Sequence, residues 1–392
     1  MKQNVKKIGV LAFLGDGHSG GICQYSQSLV DALATNTDQN IQYIIITDHN
    51  ENFFDHYRLE IRKITRPKAS LVVKITRLIQ LYFKIKKPLF FSQDELAAYE
   101  DLDLFICPVI SAYPHFYLNR PFIFTLHDLQ ERYYPEYFTL TTRIIRYVLN
   151  TVLSATSTHI LCESNYVKTD IVKFLKQKAT KISVIPAPPP SNLINFTFDN
   201  DKFATIVAKY QLPAKYLLYP AQFWYHKNHL KLLEAFKLIT KQHDDLHLVL
   251  TGSKKNNYPN VIAKIQELEL ADKVLHLGYI AYEDLPYLYK MSAMLVMPTL
   301  FESISIPIYE AFALQVPVCA SNVVALPEQV QDAGLLFDPN DTTDIANKIM
   351  QLLTDSQLRE TIVAKGYAKI LNFSHGKYKD QIIDIIRNLL PF

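Results

Sequence analysis

Two carboxylates eight positions apart, Glu302 and Glu310, flank Pro307 in the stretch "FESISIPIYEAF" (301–312). Ile304, Ile306 and Ile308 alternate as on a half-buried strand, but Pro307 lacks the backbone donor that a central strand needs. In the first turn of a helix the missing N–H costs nothing. The stretch therefore reads as a loop carrying Glu302 into a helix, with Ser305 or Ile306 as the N-cap and Glu310 in or near the first turn. Acids so placed serve as caps, as ion-pair partners or as ligands for a substrate. Lys227 and Asn228, in "YPAQFWYHKNHLKLLEAF" (219–236), precede an amphipathic helix. A cation beside the positive end of a helix is unfavourable unless an anion such as a diphosphate joins it, or unless the lysine is simply solvated.

Other candidates lie earlier in the chain. His127 and Asp128 end the apolar run "PFIFTLHD" (121–128), and strand ends face the ligand crevice in open α/β sheets. A neutral imidazole there can bond a sugar hydroxyl or relay a proton, or it can satisfy a neighbouring carbonyl. Ser164 and Asn165 end another strand, where an N-cap is an equal reading. Four of the ten glycines crowd into "GDGHSGG" (15–21), between a strand and a helix that has Ile22, Leu29, Val30 and Leu33 on one face. Such a loop cradles phosphate or makes a tight turn. Gly15, Gly17 and Gly20 also satisfy G-x-G-x-x-G, so an NAD-type oxidoreductase is a rival. Its ribose-binding acid belongs about 20 residues further on, whereas Asp48 lies 28 beyond Gly20. Gly252, after "LHLVLT", offers another close backbone approach.

The elements that position these residues alternate between apolar strands and helices, the pattern of parallel α/β sheets. One series runs through 7–14, 41–48, 102–108, 121–128 and 158–164, and a second through 215–223, 246–253, 274–279, 293–300 and 316–320. Helical stretches around 229–241, 258–269, 283–291, 341–354 and 356–390 intervene or follow. The Pro-rich run "KISVIPAPPPSNLINF" (181–196) separates the two series. These patterns predict an N-terminal Rossmann-like domain over 1–185, a linker over 186–198 and a C-terminal Rossmann-like domain over 199–372. A final helix, 373–392, is expected to pack back on the first domain. Ligands are expected in a cleft between the lobes.

With 392 residues, 49% of them hydrophobic, the chain is long enough for two cores. A net charge of +3 is too small to point to nucleic acid. Four scattered cysteines, with no CxxC pair, suggest free thiols in a reducing compartment and no metal site. The start lacks a signal peptide's long apolar region, and no run reaches the roughly 18 apolar residues of a spanning helix. A cytoplasmic protein is expected.

The C-terminal half resembles the retaining glycosyltransferases of the GT-B fold, the "group 1" or GT4 family. The resemblance rests on the E-x7-E signature, Glu302 to Glu310, within "MPTLFESISIPIYEAFALQVPVCASNVVALPE". Gly20-Gly21-Ile22, His127-Asp128, the "HKNH" lysine, "EDLPYLY" and "AGLLFDPND" extend it over almost the whole chain. The "YPAQFWYHKNH" block is similar to enzymes of bacterial polysaccharide and O-antigen synthesis, mannosyltransferases among them.

The resemblance implies that Glu302 binds the donor hexose, Glu310 the ribose and Lys227 the diphosphate. It further implies that the amides of Ser303, Ile304, Ser305 and Ile306 approach the donor. Gly20, Gly21 and Ile22 would line the phosphate and acceptor side, with His127 near the transferred sugar. Transfer would retain configuration by front-face attack and need no metal. The implied partners are a nucleotide-sugar donor and a glycan or lipid-linked glycan acceptor. Gln222 stands where the family commonly has a second cation, and Ser303, Ser305 and Gln315 stand where it often has glycine.

The segment "RLEIRKITRPKASLVVKITRLIQLYFKIKK" (58–87) holds ten Lys/Arg and one acid, Glu60. A basic amphipathic stretch suits an anionic membrane surface, or forms an ordinary solvated face.

Overall fold

The computed structural model describes residues 5–13, 21–48, 54–64, 70–87, 89, 91–111, 113–116, 120–189, 191–373 and 375–390. The chain divides into two units, Met1–Ala187 with His375–Phe392, and Pro188–Ser374.

The first unit is built on seven strands: β1 (Lys6–Leu11), β2 (Ile41–Thr47), β3 (Glu60–Lys63), β4 (Leu104–Cys107), β5 (Phe122–Thr125), β6 (His159–Cys162) and β7 (Ile182–Val184). They form one sheet in the order β3-β2-β1-β4-β5-β6-β7. Every pairing is parallel, and Val10 of β1 lies between Ile45 and Ile106 of its two neighbours. A parallel sheet is covered on both faces, which is why runs such as "IQYIIIT" are apolar almost throughout. The helix Gly21–Ala34 covers one face through Tyr25, Leu29 and Leu33. The C-terminal helix His375–Leu389 packs beside it through Tyr378, Ile382 and Ile386.

The second unit repeats the design with β8 (Tyr216–Pro220), β9 (His247–Thr251), β10 (Val274–His276), β11 (Met294–Met297), β12 (Val318–Ser321) and β13 (Leu335–Phe337). Their order is β10-β9-β8-β11-β12-β13, again all parallel. Each order reverses direction once, at β1/β4 and at β8/β11. Loops at the carboxyl ends of strands flanking such a switch point diverge and leave room for a ligand.

Several local expectations change. β3, β7 and β13 are strands of three or four residues that the apolar pattern does not reveal. β7 lies inside the Pro-rich run, because Ile182–Val184 pairs with β6 before the prolines begin. The basic segment is not one amphipathic element: it contributes β3 and then the separate helix Leu71–Tyr82, capped by the Ser70 side chain. Ile22, the second residue of its helix, is 45% exposed although it shares a face with the buried Leu29 and Leu33. The four cysteines are buried free thiols.

Candidate active site

In the second unit the candidate residues gather at strand ends around the switch point. β8 leads to Gln222 and a 3-10 turn, Tyr225–Lys227; β9 leads to Gly252; β11 leads to Glu302. The ammonium of Lys227 is bonded to Oε2 of Glu302, with the two side chains only 16% and 17% exposed. Lys227 is thus not simply solvated, because the protein itself supplies a carboxylate beside it. Backbone bonds hold the two loops in register. The Leu300 amide and the Thr299 hydroxyl both donate to the His226 carbonyl, at 2.7 and 3.0 Å. The Tyr219 hydroxyl donates to the Lys227 carbonyl at 2.6 Å.

Asn228 ends the turn in the left-handed conformation (φ 57°), which short polar side chains tolerate. Its amide group does not cap the following helix, His229–Thr240. It donates instead to the carbonyls of Pro298 and Pro339, each at 2.9 Å, joining the loops after β11 and β13. Gly252 has φ +117° and lies against backbone: a Cβ there would meet the Ala221 carbonyl oxygen at 2.6 Å. Only glycine fits. Gln222 accepts a 2.9 Å bond from the indole of Trp224.

The signature helix is Ile306–Ala313, with Ser305 as N-cap and Pro307 in the first turn. The Ser305 side chain makes no capping bond. Glu310 is the fifth helical residue, just past the first turn and thus near it as the sequence indicates, and is 2% exposed. Its Oε2 accepts the Tyr289 hydroxyl at 2.7 Å. Burial, then the Glu310 charge, holds that phenol well above its ordinary pKa. The loop backbone at Ser305 is fixed from outside: its N–H donates to Oε1 of Gln329 at 2.9 Å, and its carbonyl accepts Nε2 of Gln329 at 2.7 Å. Ser303 is buried, and Ile304 packs on the core of this unit.

In the first unit His127 follows β5, with both ring nitrogens engaged. Nε2 lies 2.7 Å from the Pro108 carbonyl and Nδ1 2.9 Å from Glu163 Oε2. Asp128 pairs with Arg146 at 2.5 Å, and Arg146 also bonds Glu131 at 2.8 Å. Burial by itself would raise the Asp128 pKa, but Arg146 and the Gln130 amide bring it below the usual carboxylate value. Ser164 is an N-cap, accepting from the Val167 amide at 3.3 Å, so the capping reading holds. Gly21 opens its helix with open space around its Cβ direction. Gly15, Gly17 and Gly20 lie outside the described residues.

Gln329, Tyr289, Glu163 and the fully buried His229 went unnoticed in the sequence. Gln329 sits just past "ALPE" and Glu163 just before Ser164, so strand-end position alone could have flagged Glu163. Nothing local marks Gln329. Among the described residues no three His, Cys, Asp or Glu side chains form a set that could hold a metal ion.

Two parallel Rossmann-like units, with chemistry-bearing loops at their strand ends, define the GT-B class of fold. The sequence comparisons agree with it. Residues 19–188 match the model for Glycosyltransferase Family 4, and residues 204–369 match that for Glycosyl transferases group 1. The chain is 30% identical over 283 residues to the O-antigen chain mannosyltransferase B of Escherichia coli, covering 70% of this chain and 73% of that one. It is 26% identical over 327 residues to the O-antigen chain mannosyltransferase RfbU of Salmonella typhimurium, covering 83% and 85%. The chain belongs to the group 1, family 4 glycosyltransferases, and is a transferase. Among solved structures, Anabaena HepE in complex with UDP and glucose superposes with a TM-score of 0.76 at 18% identity, covering 98% of this chain and 100% of that one. The sucrose-phosphate synthase of Thermosynechococcus elongatus gives 0.77 at 20% identity, covering 98% and 99%. Family membership sets aside the oxidoreductase reading of Gly15, Gly17 and Gly20.

Proposed function

We propose that this enzyme is a retaining hexosyltransferase that moves mannose from a nucleotide-diphosphate sugar to a growing glycan or lipid-linked glycan. The observation that carries the reading is the Lys227–Glu302 pair at the switch point of the second unit. Its support in substrate class is the likeness to two O-antigen mannosyltransferases. Glu302 contacts the hexose and aims Lys227 at the diphosphate, and Glu310, braced by Tyr289, takes the ribose. Gly252 and the amides of Ser303 to Ile306 allow close backbone approach. Gln222 gives a neutral partner to the diphosphate, and Gly20, Gly21 and Ile22 serve the phosphate and acceptor side.

The acceptor oxygen attacks the anomeric carbon on the face that the diphosphate leaves, and its proton passes to a departing phosphate oxygen. Lys227 stabilises the charge that develops there, with no metal in the step. The test is mannose transfer from GDP-mannose, with the product's anomer read by NMR and chelator added in parallel. A retained anomer with an unchanged rate in chelator supports the reading. An inverted anomer, or loss of activity restored by a divalent cation, contradicts it.

An anionic membrane surface is a proposed partner of the first unit. Leu71 is 72% exposed, and Val72, Ile75 and Tyr82 on the same helix are also exposed. Leu140 and Ile144 are exposed on the neighbouring helix Leu140–Thr156. Lys74, Lys84, Lys86 and Lys87 accompany them, a composition suited to anionic headgroups. Among the described residues no helix is long and apolar enough to cross a membrane. Flotation with anionic vesicles supports this partner, and sedimentation away from them contradicts it.

A further inference from the structure

A buried carboxylate in the first unit, Glu163, has no role in the reading above. It follows β6, is 4% exposed, and its Oε2 bonds Nδ1 of His127. Its Oε1 is buried and, among the described residues, makes no hydrogen bond. The other nitrogen of His127 faces the Pro108 carbonyl. A carbonyl can only accept, so Nε2 must carry a proton. The remaining proton lies between Nδ1 and Glu163, and two states satisfy the geometry: imidazolium with carboxylate, or neutral imidazole with protonated Glu163.

We infer that Glu163 is a positioning residue that holds His127 as a doubly protonated ring, so that His127 serves transfer as a hydrogen-bond donor and not as a base. This rests on the expectation, drawn from the family resemblance, that His127 lies near the transferred sugar. The ring has no lone pair to offer a substrate hydroxyl. It can exchange the Pro108 carbonyl for a sugar or phosphate oxygen on Nε2, and that exchange moves no proton onto or off the ring.

The surroundings favour the charged ring. Asp128 lies next to His127 on its own strand end, bonded to Arg146, which also holds Glu131. From the helix Gly21–Ala34, Tyr25 sets its ring edge-on to the imidazole at 4.8 Å. Tyr378 of the C-terminal helix and Cys162 of β6 complete the buried shell, and both tyrosines are held protonated by burial. Burial is the largest single influence on His127 and lowers its pKa. The Glu163 contact, the Pro108 carbonyl and Asp128 together outweigh it and leave the pKa raised. A raised pKa means that the charged ring persists as pH climbs and is lost only above the ordinary value.

The test uses 15N-histidine-labelled full-length enzyme, with the His127 signals assigned by their loss in His127→Gln. Two protonated ring nitrogens near neutral pH are expected, and a single one overturns the inference. In Glu163→Gln the carboxylate charge is gone while the side chain keeps its shape. The His127 titration should fall by at least about one pH unit. The alkaline limb of the transfer rate should fall with it, and activity should recover at lower pH. A merely structural residue would lower the rate at every pH and leave the limb in place, and that result overturns the inference. A shifted titration with an unmoved rate profile also overturns it. Absence of transfer by the unaltered enzyme would instead be a failure of the proposed function, because the ring titration is read without substrate.

Discussion

Lys227 and Glu302 are most informative when separated. Each is held by the other in a largely solvent-shielded loop pair, so removing either frees the survivor to move away from the donor. Lys227→Ala and Glu302→Ala should each lower kcat/KM for sugar transfer by roughly a hundredfold or more. The melting temperature should also fall, since each substitution leaves the surviving charge unpaired in a largely shielded site. Steady-state kinetics and a melting curve on the same samples check both. A second residue-scale prediction concerns His229, stacked on Phe223 at 4.5 Å. Burial, and then the Lys227 charge, depress its pKa from 6.5 to about 3. Between those values the unfolded chain binds a proton that the folded chain refuses, so stability falls as pH drops from about 6.5. At about pH 5 this costs roughly 2 kcal/mol. His229→Phe keeps a ring in the stack and titrates nothing. Its urea-unfolding free energy should therefore lose less between about pH 7.5 and about pH 5 than that of the unaltered enzyme.

At the scale of elements, the signature helix is set by its two ends. Its start depends on Gln329, which satisfies both backbone groups of Ser305. Gln329→Leu leaves a buried N–H and a buried carbonyl without that partner, at about 1–3 kcal/mol each. The measurement is denaturant unfolding together with the KM for the donor, and both should worsen. The far end closes through Gln315, which adopts φ 57°. Its N–H bonds the Phe312 carbonyl, and the Val316 N–H bonds that of Ala311, the pairing of a Schellman motif. A non-glycine residue there is strained, so Gln315→Gly should stabilise by about 0.5–1 kcal/mol without altering kcat. Much of this helix was legible in sequence, because Pro307 announces a first turn and alternating isoleucines alone do not make a strand. Glu310 was legible too, since as the fifth helical residue it falls near the first turn, as Pro307 implies. The Gln329 clamp was not legible, because it acts across 24 positions through a short helix with no signal of its own.

For the molecule as a whole, the two parallel sheets were readable from apolar runs alternating with helical stretches. β3, β7 and β13 were not, since a pairing of three or four residues carries too little pattern to stand out from flanking loops. The site followed the same division. Lys227, Gly252 and Glu302 lie where strand ends predict them, whereas the bond between Lys227 and Glu302 joins positions 75 apart and appears only in the fold. His127 was readable by position, but its two committed nitrogens depend on Pro108 and Glu163, which only the sheet brings near.

The central claim is that the second unit binds a nucleotide-diphosphate sugar through Lys227. A ligand that binds only the folded state raises the melting temperature. The direct measurement is therefore a thermal-shift series with GDP-mannose and UDP-hexoses, run on the unaltered enzyme and on Lys227→Ala. The account predicts that GDP-mannose raises the melting temperature of the unaltered enzyme more than UDP-hexoses do, and that Lys227→Ala abolishes this rise. No rise with any nucleotide sugar, or an equal rise in Lys227→Ala, would contradict it.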